Sequence, residues 1–386
     1  MKIRLTIIAA LAFTIIACEN QDIEFEDFGS TAVYFPYQTP ARTLIQGKYD
    51  LGFNDNDNKG RFEIGVNMSG VYNNDKDRKV FFELAPDLIN SSVIGVDSVN
   101  VKVLPSDYFT IEQESPVIIP AGSHKGRIPI QLNDAFFDDS QSFAEFGEVH
   151  YVVPLLSTGT EEIDSLLTGV PLVDYPVKVR SDDWEIQPKD YTLFGIKFMN
   201  KYQGKYLRRG EDKIEGSSEV FKTTIATGVT ETQTTDIDTT TVYRNQYVVK
   251  DEVTDITTAG RNKAISTNFI RRAGLDSSST VYLLLTFNDN DEITITNADE
   301  DSVIVIENGS GRFLEDGDEW GGERRDVIYL EYEYQDKEVS TVQEKSFGRL
   351  ISETITTVDL THIVKDTLVI RDRNVTFEEF VVELNE

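Results

Sequence analysis

Strand-like alternation of apolar and polar residues dominates the chain from about residue 31 onwards. Between Thr31 and Ser181 it forms short runs rich in Val, Ile, Phe and Tyr, such as "TAVYFPY", "GRFEIGVNMSG" and "YPVKVR", with Gly, Pro, Asn and Asp between the runs. Short strands separated by turn residues are typical of antiparallel sandwiches. The pattern therefore predicts an Ig-like β-sandwich over residues 31–182.

The pattern changes after "RSDDWEIQPKDY", and residues 183–386 contain Thr-rich and acidic hairpins. Runs at 281–287, 292–296 and 302–306 are separated by Asn- and Asp-rich turns, so each strand is expected to pair with the next. In "VIYLEYEY" the even-numbered residues 328–334 share one apolar face. A long meander of this kind predicts an up-and-down barrel.

Helical periodicity is sparse, with short candidates near residues 134–146 and 161–167. The Thr-rich segment 230–243 is interpreted as a long exposed hairpin. The fold class predicted for the whole chain is therefore all-β, with a sandwich followed by a barrel.

The N-terminus has the layout of a secretory signal peptide, predicted over residues 1–17. A short basic start is followed by an apolar run over residues 5–16 that ends at the small residue Ala17. This run is shorter than the roughly 20 residues that a membrane-spanning helix needs. The sequence therefore predicts export.

The one cysteine of the chain, Cys18, follows this run directly. Residues 15–18, "IIAC", resemble a bacterial lipobox, which implies lipid attachment to the Cys18 thiol. A single cysteine also excludes disulfide pairing within the chain. The acidic segment that follows is interpreted as a tether over residues 18–30, and it resembles the export tag of Bacteroidetes surface lipoproteins.

The charge balance excludes several classes of partner. The chain has 37 Lys and Arg residues against 67 Asp and Glu, a formal net charge of −30. Nucleic acids require a basic surface, and an anionic membrane repels a body of this charge. We therefore expect no nucleic-acid partner and a protein that hangs from its anchor.

The chain resembles Bacteroidetes surface lipoproteins with an N-terminal DUF1735 domain and a calycin-like C-terminal barrel. The segments that carry the resemblance are "TAVYFPYQTPARTLIQGKYDLG", "TLFGIKFMNKYQGKYLRRG" and "WGGERRDVIYLEYEY". The resemblance implies a position on the outer face of the outer membrane, in a polysaccharide-utilisation or adhesion context. A SusC/SusD-like uptake complex and a polysaccharide are the implied partners.

Motifs of catalysis or cofactor binding are absent from the sequence. The three histidines, His124, His150 and His362, are far apart, and no nucleophile elbow, phosphate loop or dinucleotide fingerprint occurs. The turn 55–60 begins like a calcium loop but has Lys59 at a ligand position, and the acidic loop 314–326 is expected to be a solvated hairpin. We therefore expect no enzyme activity, cofactor or metal.

The candidate ligand-binding residues are aromatic. Trp320 lies among Asp, Glu and Gly residues, where an exposed indole could stack on a sugar; alternatively it plugs a barrel end. Tyr202, Tyr206 and Arg208 form a second group, for which a structural role is the alternative. Trp184 is expected to pack between the domains.

The function predicted from these features is non-catalytic glycan binding or adhesion at the cell surface. One alternative is a calycin-type carrier of a small apolar ligand, which requires an open barrel interior. The other is a structural subunit of a surface complex.

Overall fold

A computed structural model describes residues 27–48, 52–89, 101–145, 147–271, 280–299, 304–373 and 375–382. The predicted signal peptide, Cys18 and most of the acidic tether lie outside these residues. Within them, no helix is both long and apolar enough to span a bilayer.

The first domain is a β-sandwich, as predicted. Its strands are β1 (Ala32–Tyr34), β2 (Pro40–Ile45), β3 (Arg61–Ser69), β4 (Arg78–Leu84), β5 (Lys102–Val103), β6 (Phe109–Ile111), β7 (Val117–Ile119), β8 (Lys125–Leu132), β9 (Tyr151–Glu161), β10 (Ser165–Leu166), β11 (Val170–Pro171), β12 (Trp184–Ile186) and β13 (Tyr191–Met199), joined by β23 (Glu378–Glu379) from the C-terminal end. Helices are short: α1 (Asp55–Asn58), α2 (Asp134–Asp138) and 3₁₀ turns at Pro86–Leu88 and Ser181–Asp183.

Two sheets face each other across the core of the sandwich. One has the strand order β10-β1-β3-β8-β6, and the other has the order β23-β2-β13-β9-β4-β7 with β5 beside β9. Alternation along β3 buries Phe62, Ile64 and Val66 in the same cluster as Val153 and Ile196 of the opposite sheet. The period-2 pattern in the sequence therefore identified the inward faces of these strands.

The sandwich extends beyond the boundary predicted at residue 182. β13 pairs with β9 on one side and with β2 on the other, so it is a central strand of the second sheet. Its side chains are buried on both faces, which removes the alternation that marks a sandwich strand in the sequence. The helix predicted near 161–167 is also wrong, because Glu161 ends β9 and Ser165–Leu166 form β10.

The second domain is a meander of long strands that closes into a ring. Its strands are β14 (Gly204–Thr224), β15 (Val229–Tyr243), β16 (Glu252–Gly260), β17 (Lys263–Phe269), β18 (Thr280–Phe287), β19 (Glu292–Asn297), β20 (Val305–Trp320), β21 (Glu323–Ser346) and β22 (Arg349–Asp372), with a 3₁₀ turn at Val248–Lys250. The antiparallel order runs from β14 through β16 to β22, and β22 pairs back with β14. The predicted up-and-down barrel is confirmed.

A four-stranded arm projects from this barrel. It consists of the far ends of β14 and β15 (residues 210–243) and of β21 and β22 (residues 335–361), paired in the order β15-β14-β22-β21. The partner strand β20 leaves β21 at Gln335, so the arm extends about 37 Å further at 3.4 Å per residue. Residues 230–243 do not form a hairpin by themselves as predicted: they belong to the single strand β15, which pairs with β14 at one edge of the arm.

Polar contacts join the two domains. Asn200 donates to the carbonyls of Gly260 and Lys263 at 3.0 and 2.8 Å. Arg261 of the barrel forms an ion pair with Asp134 of α2 at 2.8 Å. The chain then returns from the barrel to the sandwich, where β23 pairs with the start of β2.

Candidate ligand-binding cleft

The structure buries three of the four residues predicted to contact a ligand. Tyr202, Tyr206 and Arg208 are almost completely excluded from solvent inside the barrel. The Tyr202 hydroxyl donates to Asp291 at 2.9 Å, and the Tyr206 hydroxyl donates to the Tyr202 carbonyl at 2.7 Å. These side chains fill the barrel, so the structural alternative is the correct one for them.

Arg208 belongs to a buried polar network at the centre of the barrel. Its guanidinium donates to the Asp366 carboxylate at 2.9 Å, and the Tyr332 hydroxyl donates to the same carboxylate at 3.0 Å. Tyr243 donates to the other oxygen of Asp366. Burial and the neighbouring carboxylate raise the pKa of Tyr243 and of Tyr332, which keeps both hydroxyls protonated as donors.

A second buried pair lies one step further along the barrel. His362 Nδ1 is 2.9 Å from an Asp212 carboxylate oxygen, and the imidazole stacks on the Tyr334 ring with centroids 4.5 Å apart. Apolar side chains from β18, β19 and β20 fill the remaining interior. The open, apolar interior required by the carrier alternative is therefore occupied by the protein's own side chains.

Trp320 lies at the end of β20, immediately before a turn in which Gly321 and Gly322 adopt positive φ. Its side chain is partly exposed, and the Arg325 guanidinium lies 4.8 Å from the ring centroid. The indole is thus covered on one face by a cation from its own hairpin. Trp184 packs within the sandwich region, where its ring nitrogen donates to the Val177 carbonyl at 2.9 Å.

A different part of the molecule has the geometry of a ligand site. A cleft of about 510 Å³ opens on the sandwich beside β2 and is bounded by α1 and by the C-terminal segment. We refer to it as the aromatic cleft. Its lining residues are Phe35, Pro36, Tyr37, Pro40, Ala41, Arg42, Thr43, Ile45, Gly52, Phe53, Asn54, Asp57, Ile64, Gly65, Thr192, Phe194, Val375, Thr376 and Phe377.

Three aromatic rings at the cleft are exposed to solvent. Tyr37 is 48% exposed, Phe377 is 66% exposed, and Phe53 is fully exposed. The rings of Tyr37 and Phe377 lie with centroids 5.2 Å apart at an interplanar angle of 49°. Clustered large apolar side chains without a cover are a mark of binding surfaces on soluble domains.

Polar contacts fix the floor of the aromatic cleft. The buried carboxylate of Asp57 accepts from the Arg42 guanidinium at 2.6 Å and from the Ile45 backbone N–H at 3.0 Å. Asn54 donates to the carbonyls of Ile45 and Gly47, both at 2.7 Å. These bonds tie the loop that carries Phe53 to strand β2. The Arg42 side chain remains 43% exposed, which leaves donors for a ligand.

The C-terminal segment that supplies Phe377 is held by a buried ion pair. The Glu378 carboxylate accepts from Lys197 of β13 at 2.7 Å and from the Gly147 backbone N–H at 2.7 Å. The next anchor is Phe380, which is buried against the second sheet and whose N–H donates to the Thr39 carbonyl. One wall of the cleft therefore comes from the far end of the chain.

The cleft residues were not foreseen from the sequence. Tyr37 ends the predicted strand run "TAVYFPY", and the cluster depends on Phe377, which lies more than 300 residues away in the chain. A weak signal was present in Phe53, an isolated aromatic residue within "LGFNDNDN". In the acidic turn that follows Phe53, Asp57 accepts a hydrogen bond from Arg42. The described residues contain no group of three or more His, Cys, Asp or Glu side chains suited to a metal.

Comparison with known proteins agrees with this two-domain organisation. Residues 201–374 match the domain of unknown function DUF5627, and residues 26–163 match a family model for an N-terminal domain. The two matches agree with the order of domains in the resemblance seen in the sequence, an N-terminal domain of this kind followed by a second domain. No curated protein matches the chain.

A solved structure with a TM-score above 0.7 has the same fold, and two further structures match with lower scores. A Bacteroides ovatus protein of unknown function is 26% identical with a TM-score of 0.73, and the match covers 93% of this chain and 99% of that one. A multidomain protein including DUF1735 from the same organism is 13% identical with a TM-score of 0.36, over 87% and 95% of the two chains. An auxiliary nutrient binding protein from Bacteroides thetaiotaomicron is 12% identical with a TM-score of 0.34, over 90% and 95%.

Proposed function

We propose that this chain is a non-catalytic glycan-binding protein that uses the aromatic cleft of its sandwich domain. In this proposal a lipid on Cys18 holds it at the outer face of the outer membrane, in a polysaccharide-utilisation context beside a SusC/SusD-like complex. The observation that carries the binding role is the group of uncovered rings at Tyr37, Phe53 and Phe377.

The chemistry of the cleft suits a sugar. Pyranose rings have apolar C–H faces that flat aromatic rings can cover, while their hydroxyls need nearby hydrogen-bonding groups. Arg42, Thr43 and Asn54 supply such groups around the rings. The volume of about 510 Å³ lies within the range of small-molecule sites and would hold a short segment of a polysaccharide.

The same cleft offers little for catalysis. Among the described residues that line it, Asp57 is the one carboxylate, and both its oxygens already accept hydrogen bonds. Glycoside hydrolysis by the usual routes requires a pair of carboxyl groups flanking the scissile bond. This supports binding without turnover.

Affinity gels and calorimetry with a panel of neutral polysaccharides test the proposal. Tyr37→Ala and Phe377→Ala should each weaken binding of the retained glycan roughly tenfold, about 1.4 kcal/mol, because each removes a stacking surface. About half or more of each ring is exposed, so the free energy of unfolding should change by no more than about 1 kcal/mol.

Tyr175→Ala is the matched control, since Tyr175 is almost fully exposed and does not line the cleft. It should bind as the unaltered protein does. Failure of every glycan in the panel to bind would refute the proposed function, as would equal losses in Tyr175→Ala and Phe377→Ala. Release of reducing ends from a bound glycan would refute the non-catalytic part.

A further inference from the structure

The floor of the aromatic cleft differs from its mouth. The three rings at the mouth are exposed, whereas the lining residues Phe35 and Ile64 are each only 1% exposed. Phe194 lines the same cleft, and its ring stacks on that of Phe62 with centroids 5.5 Å apart. Ile64 belongs to the first sheet and Phe194 to the second. The inner end of the cleft is therefore walled by apolar side chains of both sheets.

One polar side chain, that of Thr192, lies beside these apolar residues. Thr192 and Phe194 are two residues apart on β13, so both side chains point from the second sheet towards the first. Thr192 lines the cleft and is 1% exposed, and its hydroxyl has no hydrogen-bond partner among the described residues. The other buried polar side chain of the lining, Asp57, has hydrogen bonds to both its oxygens.

A buried hydroxyl without a partner lowers the stability of the fold. It has given up its hydrogen bonds to water and has gained none within the described protein. A valine, which has nearly the same shape, would fill this position without that loss. The missing hydrogen bond is restored when a bound molecule supplies the partner. The Thr192 hydroxyl therefore indicates a ligand group that reaches the floor of the cleft.

We propose that the floor of the aromatic cleft binds an acetyl group carried by the glycan. In this subsite the acetyl methyl group packs against Phe35, Ile64 and Phe194, and the Thr192 hydroxyl donates to the acetyl carbonyl oxygen. The inference rests on the proposed glycan binding and adds the class of sugar to it. That class is a glycan with N-acetyl or O-acetyl substituents.

Other common groups of sugars fit this floor less well. A methyl group alone leaves the Thr192 hydroxyl without a partner. A buried carboxylate needs a cation or several donors, and the net charge of −30 opposes an acidic glycan. A ring hydroxyl is both donor and acceptor, and its neighbouring hydroxyls would lose water without gaining partners. An acetyl group has one acceptor oxygen and an apolar methyl group, which matches one donor in an apolar wall.

Calorimetry with two matched pairs of glycans tests the proposal on the full chain. Chitopentaose and cellopentaose differ in the acetamido group on each unit. Acetylated xylo-oligosaccharides and the same oligosaccharides after saponification differ in their O-acetyl groups. We expect the acetylated member of at least one pair to bind roughly tenfold more tightly, because it adds a hydrogen bond and a buried methyl group. The pair that shows the preference identifies an amide or an ester.

Thr192→Val removes the hydroxyl and keeps the shape of the side chain. It should weaken binding of the acetylated glycan roughly tenfold and leave its unacetylated counterpart unaffected. The free energy of unfolding should stay the same or rise, since no hydrogen bond of the Thr192 side chain to the described protein is lost. Thr192→Ser keeps the donor and should retain most of the preference.

Ser142→Ala is the matched control for this variant. Ser142 is also fully buried with an unpartnered hydroxyl among the described residues, but it does not line the cleft. The control should therefore bind both members of each pair as the parent does.

Saturation-transfer NMR gives a readout that a purely structural role of Thr192 would not produce. The acetyl methyl protons of the bound glycan should receive the strongest saturation, because they lie deepest among the apolar side chains. Stronger saturation of the ring protons would place the acetyl group outside the floor and refute the subsite.

The remaining outcomes separate this inference from the proposed function. If both members of each pair bind equally, glycan binding stands and the acetyl subsite is refuted. If no member of either pair binds, the subsite is refuted, and the proposed function is decided by the wider panel. Equal losses for the two members of a pair in Thr192→Val, or a similar loss in Ser142→Ala, would overturn the role of the Thr192 hydroxyl.

Discussion

The aromatic cleft and the barrel interior use similar side chains in opposite ways. In the cleft, Tyr37 and Phe377 leave much of their ring surface in water. In the barrel, Tyr206 and Tyr332 are buried, and their hydroxyls donate to a backbone carbonyl and to Asp366. Burial of the barrel rings stabilises the fold, whereas the cleft rings leave apolar surface uncovered, which is the basis of the binding role that we propose.

The largest effect that follows from this comparison is expected at Asp366. Asp366→Ala would remove the nearer carboxylate partner of the buried Arg208, leaving the partly exposed Glu252 at 3.6 Å, and would remove the acceptor of Tyr243 and Tyr332. Breaking a buried ion pair from one side costs roughly 3–5 kcal/mol, because the remaining charge stays desolvated. Urea unfolding should show a loss within that range.

Asp359→Ala provides a control on the same strand. Asp359 faces solvent and lies 3.6 Å from Lys337 in an exposed ion pair, so its loss should cost less than about 1 kcal/mol. Similar costs for the two variants would contradict the distinction between a buried network and a solvated surface.

A smaller effect is expected at Glu378, where one substitution should lower both the free energy of unfolding and the glycan affinity. Glu378→Ala removes the carboxylate that pairs with buried Lys197, at a cost of about 3 kcal/mol. It should also free the segment that holds Phe377, so glycan affinity at the aromatic cleft should fall. Urea unfolding and calorimetry on the same variant measure the two consequences.

The neighbouring residue supplies the control for this prediction. Glu379 is exposed in the same short strand, so Glu379→Ala should change neither property measurably. If Glu378→Ala lowers stability but leaves the affinity unchanged, the C-terminal segment is not part of the binding site.

The contrast between the two regions also explains what sequence could and could not predict. Regular alternation in β21 correctly identified Ile328, Leu330, Tyr332 and Tyr334 as one inward face, because a barrel strand has one wet and one dry side. The same rule failed at β13, which is buried on both sides. Because β13 lacks the alternation of a sandwich strand, the sequence places the end of the sandwich too early, at residue 182.

The candidate site was harder to predict than the fold. The residues chosen for their aromatic character, Tyr202 and Tyr206, face inward, while the exposed rings lie in irregular segments. Phe377 reaches the cleft only because the chain returns to the sandwich after the barrel domain, where β23 pairs with β2. Such a contact depends on tertiary topology, which local periodicity does not encode.

The smallest effect is expected at Asp139, where the sandwich repeats the barrel's arrangement of a carboxylate with two tyrosines. Tyr108 and Tyr151 donate to Asp139 at 2.9 and 2.6 Å, but this carboxylate is only partly buried, and no arginine among the described residues pairs with it. Partial burial alone would raise the pKa of Asp139. The hydrogen bonds from Tyr151, the Gln141 N–H and Tyr108 lower it below its usual value.

A depressed pKa means that the folded state favours the charged form of Asp139. Its stabilisation is therefore fully present above the unfolded value of about 3.9 and is lost as the pH falls through the lower folded value. Asp139→Asn should cost about 1 kcal/mol at neutral pH, and the difference from the unaltered protein should shrink in acid. Unfolding curves across that pH range measure this, and a difference independent of pH would show that the charge of Asp139 contributes nothing.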